Sequence, residues 1–181
     1  SCCPAYVETV RKHIPTLAKR VSHTATPMHY TAELAAEECP DHLRVFIGPC
    51  LAKRKEGLDD PLVDYVLSVE ELGALFVALG IDVSGMEDAP MQRNASASGR
   101  GFALAGGVAG AVMAQLPSDS VCTPVLVDGL TSTTIKMLSR WADGAAEGNL
   151  VEVMACTGGC IAGPSVIANP KVAAAQLKKG C

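Results

Sequence analysis

The sequence predicts an α/β domain in which a parallel or mixed sheet is flanked by helices. Short runs rich in β-branched residues alternate with segments of helical spacing, the order that gives parallel pairing with helical crossovers. Apolar residues make up 49% of the chain and aromatics only 4%, so Ala, Gly and Val carry the packing of closely spaced helices. At 181 residues the chain can bury one sizeable core or two small lobes.

Taken in order, Pro4 suits a first helical turn, and Val7, Val10, Ile14, Leu17 and Ala18 give helical spacing from Tyr6 to Arg20. Pro15 should bend or end that helix early. A polar loop follows, then a helix over 28–38, starting near Thr31 and broken by Cys39-Pro40-Asp41. Leu43 to Ile47 reads as a strand and Leu51 to Gly57 as a charged loop or turn. Asp64 to Leu67 is a second strand. Ser68 with Glu71 forms a capping box for a helix running to about Leu79, which Gly80 stops. The segment 84–98 lacks apolar periodicity and reads as loop, and 99–115 as one Gly/Ala helix. Cys122 to Val127 is a strand, Thr131 to Trp141 a helix, Leu150 to Met154 a buried strand, and Lys171 to Lys179 a final helix.

Composition excludes several function classes. The net charge of −4, with no basic run, argues against nucleic acid and anionic membrane as partners. No apolar stretch reaches the roughly 18 residues of a membrane helix, and no signal peptide opens the chain, so a soluble, cytoplasmic protein is expected. The chain begins inside a motif and without Met, which reads as a piece of a longer protein.

Eight cysteines point to metal ligation more than to a disulfide scaffold. Cys39, Cys122 and Cys181 fit no pattern and are expected to be bystanders. The others fall in three turns. In Ser1-Cys2-Cys3-Pro4 the thiols sit at a helix start, whose positive end favours thiolate. Adjacent cysteines point apart, so one would be a ligand and the other free for proton or redox work; a pair of buried thiols is the alternative. In Pro49-Cys50-Leu51-Ala52-Lys53-Arg54-Lys55-Glu56 a cation lies near whatever the thiolate holds; a solvated loop is the alternative. In Met154-Ala155-Cys156-Thr157-Gly158-Gly159-Cys160 glycines let the backbone approach a bulky body. A redox pair or zinc half-site is the alternative there, although the spacing is not that of paired zinc knuckles. Cys50 and Cys156 both lie just past strand carboxyl ends, where ligands gather in α/β sheets. Four cysteines from three loops make a thiolate-rich cage of the kind that suits iron–sulfur clusters.

Together these turns resemble, in order, the catalytic domain of the iron-only (FeFe) hydrogenases. The matching motifs are Ser1-Cys2-Cys3-Pro4, Pro49-Cys50-x-x-Lys53-x-x-Glu56 and Met154-Ala155-Cys156-x-x-Gly159-Cys160, with a Gly-rich run from Ser98 to Val108 between them. The resemblance spans the chain and the later part of the family's catalytic domain. It implies an iron-only hydrogenase-like fold, with 1–181 a partial H-cluster domain, and reversible interconversion of H2 with protons and electrons. It implies Cys3, Cys50, Cys156 and Cys160 as ligands of the 4Fe-4S cubane of the H-cluster. Cys160 would bridge to a two-iron subsite carrying CO, cyanide and an azadithiolate. Cys2 matches the thiol that passes protons to that subsite, and Lys53 the cation that hydrogen-bonds a cyanide. Glu56 and Ser22 match the proton path, and Met154 and Phe102 the pocket lining. The resemblance further implies a ferredoxin-like electron carrier, or an N-terminal iron–sulfur domain, as partner. Gly48 stands where the family tends to carry methionine, Met28 where it carries glutamine, and Gly163-Pro164 where it carries glycines, which mark a divergent subgroup. The alternatives are a hydrogenase-like iron–sulfur scaffold or assembly protein without H2 activity, and a structural zinc or dithiol module. Produced alone, the piece is expected to be apo and inactive.

Overall fold

The computed structural model describes residues 1–89, 95–144 and 146–179. Helix α1 (Pro4–His13) starts with Pro4 in its first turn and stops before Pro15, which opens a 3-10 turn, Pro15–Arg20. Helix α2 (Pro27–Glu38) begins earlier than the Thr31 reading: Thr26 is its cap, accepting from the His29 N–H. Strand β1 (Val45–Gly48), helix α3 (Lys53–Asp59) and strand β2 (Tyr65–Ser68) form one βαβ unit, with β1 and β2 parallel and Val45 opposite Tyr65. Helix α4 (Val69–Ala78) carries the expected Ser68–Glu71 capping box and ends at Gly80, where φ is +67. Short helices α5 (Ala97–Gly101) and α6 (Gly107–Gln115) follow. A second βαβ unit comprises β3 (Pro124–Asp128), α7 (Ser132–Ala142) and β4 (Leu150–Met154), with Pro124 opposite Leu150 and Asp128 opposite Met154. A 3-10 turn (Cys160–Ala162) and α8 (Pro170–Lys179) close the described chain.

The α/β class with parallel pairing and flanking helices stands. Among the described residues, however, the strands divide into two two-stranded sheets rather than one. Each sheet pairs consecutive strands across one helix, so each unit closes locally. The first core joins Tyr6, Val10, Ile14 and Leu17 to Val127, Leu138, Trp141 and Val153, packing α1 and its 3-10 extension on α7 and the β3–β4 sheet. A smaller core of Met28, Ala32 and Val63 lies under α2 beside the β1–β2 sheet.

Two local expectations are corrected. The charged loop at 51–57 is largely helix α3: Lys53 and Gly57, one turn apart, are its buried residues, while Lys53–Glu56 and Lys55–Asp59 pair at helical spacing. Gly57 lets α3 press on β2, since a Cβ there would lie 2.5 Å from Val66 Cγ2. The expected single helix over 99–115 is broken at 102–106. At that break the chain folds back so tightly that a Cβ on Gly107 would lie 1.8 Å from the Gly101 carbonyl oxygen. The loop reading of 84–98 overlaps a short 3-10 turn at Val83–Gly85 and is corrected at its end, where α5 starts at Ala97; its part at 90–94 lies outside the described residues, as does Cys181. No described helix is long and apolar enough to cross a membrane.

Candidate metal centre

Three segments carry the five motif cysteines. Cys2 and Cys3 precede α1, with Cys3 in extended backbone at its N-cap, so Cys3 stands at the positive end of that helix. Cys50 lies two residues beyond β1, and Cys156 two beyond β4. The loop from Cys156 to Cys160 needs its glycines: Gly158 and Gly159 have φ of +91 and +88, a region L side chains rarely adopt. The loop is fixed on every side. The Gly158 N–H donates to Asp128 Oδ1 at 2.7 Å, and the Ile161 N–H to the Ala103 carbonyl at 3.2 Å. Gly159 lies so close to the 103–105 backbone that a Cβ would sit 2.6 Å from Ala103 O. Just beyond, the Ser165 N–H donates to Pro49 O at 3.3 Å, and a Cβ on Gly163 would lie 2.4 Å from that oxygen. The last cysteine loop is thereby tied to the Cys50 turn and to the break between α5 and α6.

The thiols sense one another. Burial pushes Cys160 up to about 11, reinforced by the negative charges of Cys3, Cys50, Cys2 and Cys156. Burial, then Cys50 and Cys3, raises Cys156. Cys2 is raised by burial and Cys3, against the opposing pull of Lys53 and the amino terminus, with Glu152 adding to the rise. The neighbouring charges that raise these thiols come from all three turns. Among the described residues, no three His, Cys, Asp or Glu side chains close on a single ion. The donors on these three turns are sulfur atoms, the ligand chemistry that an iron–sulfur body takes.

Lys53 is 9% exposed, and its Nζ donates to both Glu56 oxygens at 2.9 and 2.7 Å. Its ammonium lies 5.9 Å from the centre of the Phe46 ring. The Thr26 hydroxyl donates to Glu56 Oε1. Below this group, His29 Nδ1 meets Asp60 Oδ2 at 2.8 Å. Met154 is buried at the end of β4, and Phe102 is half-buried at the break between α5 and α6. Ser22 stands apart from Glu56 in its contacts: it lies in an exposed loop and its hydroxyl bonds to Thr24 Oγ1 at 3.1 Å. Cys39 is exposed and Cys122 half-buried.

Two polar residues escaped the sequence reading. Thr26 was legible as a cap, standing directly before Pro27, but its bond to Glu56 spans 30 residues. Glu152, a lone charge in an otherwise apolar strand, is buried and accepts from the Gly106 and Ala109 N–H groups.

Residues 1–164 match the family model that describes the C-terminal domain of the iron-only hydrogenase large subunit. Over 90% of its length the chain is 26% identical to the NADP-reducing hydrogenase subunit HndD of Solidesulfovibrio fructosivorans, covering 36% of that protein. It is 25% identical over the same share to the periplasmic [Fe] hydrogenase large subunit of Nitratidesulfovibrio vulgaris, covering 50% of it. The chain therefore spans about a third to a half of these curated relatives. Among solved structures, a variant of [FeFe]-hydrogenase HydA1 from Chlamydomonas reinhardtii superposes on 99% of the chain with a TM-score of 0.65 at 22% identity, over 64% of its own length. HydA(deltaEFG), a structure of stepwise H-cluster assembly, does so with a TM-score of 0.65 at 20% identity, over 64% of its own length. At such identities the likeness is one of fold, whereas the match over residues 1–164 is one of sequence: the chain belongs to the family formed by the C-terminal domains of iron-only hydrogenase large subunits.

Proposed function

We propose that this chain is the cubane-holding part of an iron-only hydrogenase catalytic domain, which in the full-length protein interconverts H2 with protons and electrons. The observation that carries the proposal is the family match over residues 1–164, which includes all three cysteine turns; the bonds from Ile161 to Ala103 and from Ser165 to Pro49, beside Cys50, support it. In this reading Cys3, Cys50, Cys156 and Cys160 would hold the 4Fe-4S cubane, and Cys160 would also serve the two-iron subsite. The H-cluster, when bound, would supply the redox chemistry of the reaction, passing electrons to or from an external carrier.

The protein's own groups do the rest. Cys2, whose thiol is raised above its ordinary value by burial and then by Cys3, would be the group that passes protons. Lys53, held in place by Glu56, offers ammonium N–H donors to an anionic ligand beside Cys2. Glu56 and Ser22 are assigned to the proton path, and the Thr26 hydroxyl fixes the Glu56 carboxylate. Met154 and Phe102 shield the pocket from water. Electrons arrive from a ferredoxin-like carrier or an N-terminal iron–sulfur domain. Made alone, residues 1–181 should be apo and inactive, which iron and sulfide analysis of that chain checks. A cytoplasmic location belongs to the same reading, and cell fractionation of the full-length protein decides it against the periplasm of the Nitratidesulfovibrio relative.

An infrared spectrum of the matured full-length protein is the test, together with iron and sulfide analysis. CO and cyanide stretches with H2 evolution support the proposal. Bound zinc, or iron and sulfide without those stretches and without H2, would sink it.

A further inference from the structure

Glu152 is a carboxylate where an apolar residue would serve the strand. It stands between Val151 and Val153 in β4 and is only 7% exposed. A buried carboxylate is costly unless hydrogen bonds and favourable charge surround it. Its two oxygens find both: they accept from the Gly106 N–H at 2.7 Å and the Ala109 N–H at 2.6 Å. Those groups belong to the start of α6, which has no cap of its own, because its N-cap residue is Gly106 at φ +86. The cap comes instead from a strand 43 to 46 residues away, and it sets a negative charge on the positive end of the helix.

The same helix start carries the 102–106 turn, and the Cys156–Cys160 loop rests on that turn. Ile161 donates to Ala103 O at 3.2 Å, and Gly159 lies within a missing Cβ of Ala103, Leu104 and Ala105. One carboxylate therefore joins β4, α6 and the surface on which the last cysteine loop is moulded.

We propose that Glu152 is a positioning residue for the cysteine loop, holding the 102–106 turn against Gly159 and so fixing where Cys156 and Cys160 sit. Its consequence for a cluster rests on the ligand reading given above, while its cause lies in contacts within the protein. Phe102, in the same turn, is set by the same clamp.

The test uses the full-length protein with Glu152→Ala and Glu152→Gln, and Leu138→Ala as a control that lowers stability through the α7 core while leaving the bonds of Glu152 in place. In metal-free protein, hydrogen exchange at residues 103–109 and 158–162 is followed beside the alkylation rates of Cys156 and Cys160. Glu152→Ala should lose protection at Gly106 and Ala109 by about tenfold or more, as expected when buried charge-assisted bonds are removed. Cys160 should then alkylate faster. Glu152→Gln should fall between, because its amide keeps one accepting oxygen. Leu138→Ala should destabilise the chain without singling out these amides. After reconstitution with iron and sulfide, the Ala variant should show an altered electron paramagnetic resonance signature of the reduced cubane. Unchanged exchange and alkylation in Glu152→Ala overturn the proposal, as does the same local pattern in the control. Should the Ala variant fail to fold, the Gln variant decides on the same amides. If the wild type takes up no iron–sulfur cluster while the exchange pattern is as expected, the ligand reading falls and the positioning of the loop by Glu152 stands.

Discussion

Replacing Gly159 by alanine should be among the most damaging one-methyl changes this fold can suffer. Gly159 adopts φ +88 and ψ −166, a region essentially reserved for glycine, where another residue costs about 1–3 kcal/mol. The added Cβ would also lie 2.6 Å from Ala103 O, 2.7 Å from Ala105 N and 2.8 Å from Leu104 C. All three are backbone atoms of the tight 102–106 turn, so they cannot swing aside as a side chain would, and overpacking adds about 1–3 kcal/mol. The expected loss is about 2–6 kcal/mol, or roughly 4–24 °C in Tm for a chain of this size. Urea denaturation followed by circular dichroism measures it. Gly110→Ala is the matched comparison of opposite sign, since Gly110 is exposed within α6 and a Cβ there meets nothing within 4 Å. It should gain about 0.5–1 kcal/mol. A Gly159→Ala loss under about 1 kcal/mol, or equal effects of the two variants, would refute the close approach of the cysteine loop to the 103–105 backbone.

Leu138→Ala, at a site 1% exposed between α1, α7 and the β3–β4 sheet, should cost about 2–5 kcal/mol; a smaller loss by calorimetry would mean that the core around it is loose. For Asp60, burial alone would raise the carboxyl, but the Leu62 N–H, the His29 ring and the Lys53 charge together hold it below the usual carboxylate range. A lowered folded value stabilises above the unfolded carboxylate range and is lost as pH falls through the folded one. Wild type should therefore lose more stability than Asp60→Asn on acidification from pH 7 through about pH 4 and below, and parallel acid limbs would contradict the Asp60 contacts. Thr26→Val removes both the cap of α2 and the donor to Glu56, and should cost about 1–2 kcal/mol by thermal melting, with Thr26→Ser restoring most of it. Equal losses in the two Thr26 variants would rule out the hydroxyl as the cause.

Much of the chain was legible because its signals are local. The Ser68–Glu71 box, the stop at Gly80, the strand Leu150–Met154 and the helix break before Pro15 each depend on a few neighbouring residues. The three cysteine turns were legible as motifs, and the position of Cys50 and Cys156 past strand ends followed from the βαβ order. Helix α3 was misread because its charges mimic a solvated loop, and only burial of Lys53 and Gly57 against the rest of the chain reveals their helical pairing. The 99–115 segment was misread because Gly and Ala permit a helix everywhere, and sequence alone does not say where tertiary contacts will fold it back.

The amino-acid order by itself determined the α/β class, the strand–turn junctions that carry the thiols, and most helix boundaries. It could do so because caps, prolines and β-branched runs act over a few residues. Only the folded chain decided that the strands part into two small sheets, that Thr26 holds Glu56, and that a carboxylate in β4 caps α6 beneath the last cysteine loop. Those features join residues tens of positions apart, and which backbones approach closely enough to bond is settled by packing of the whole chain.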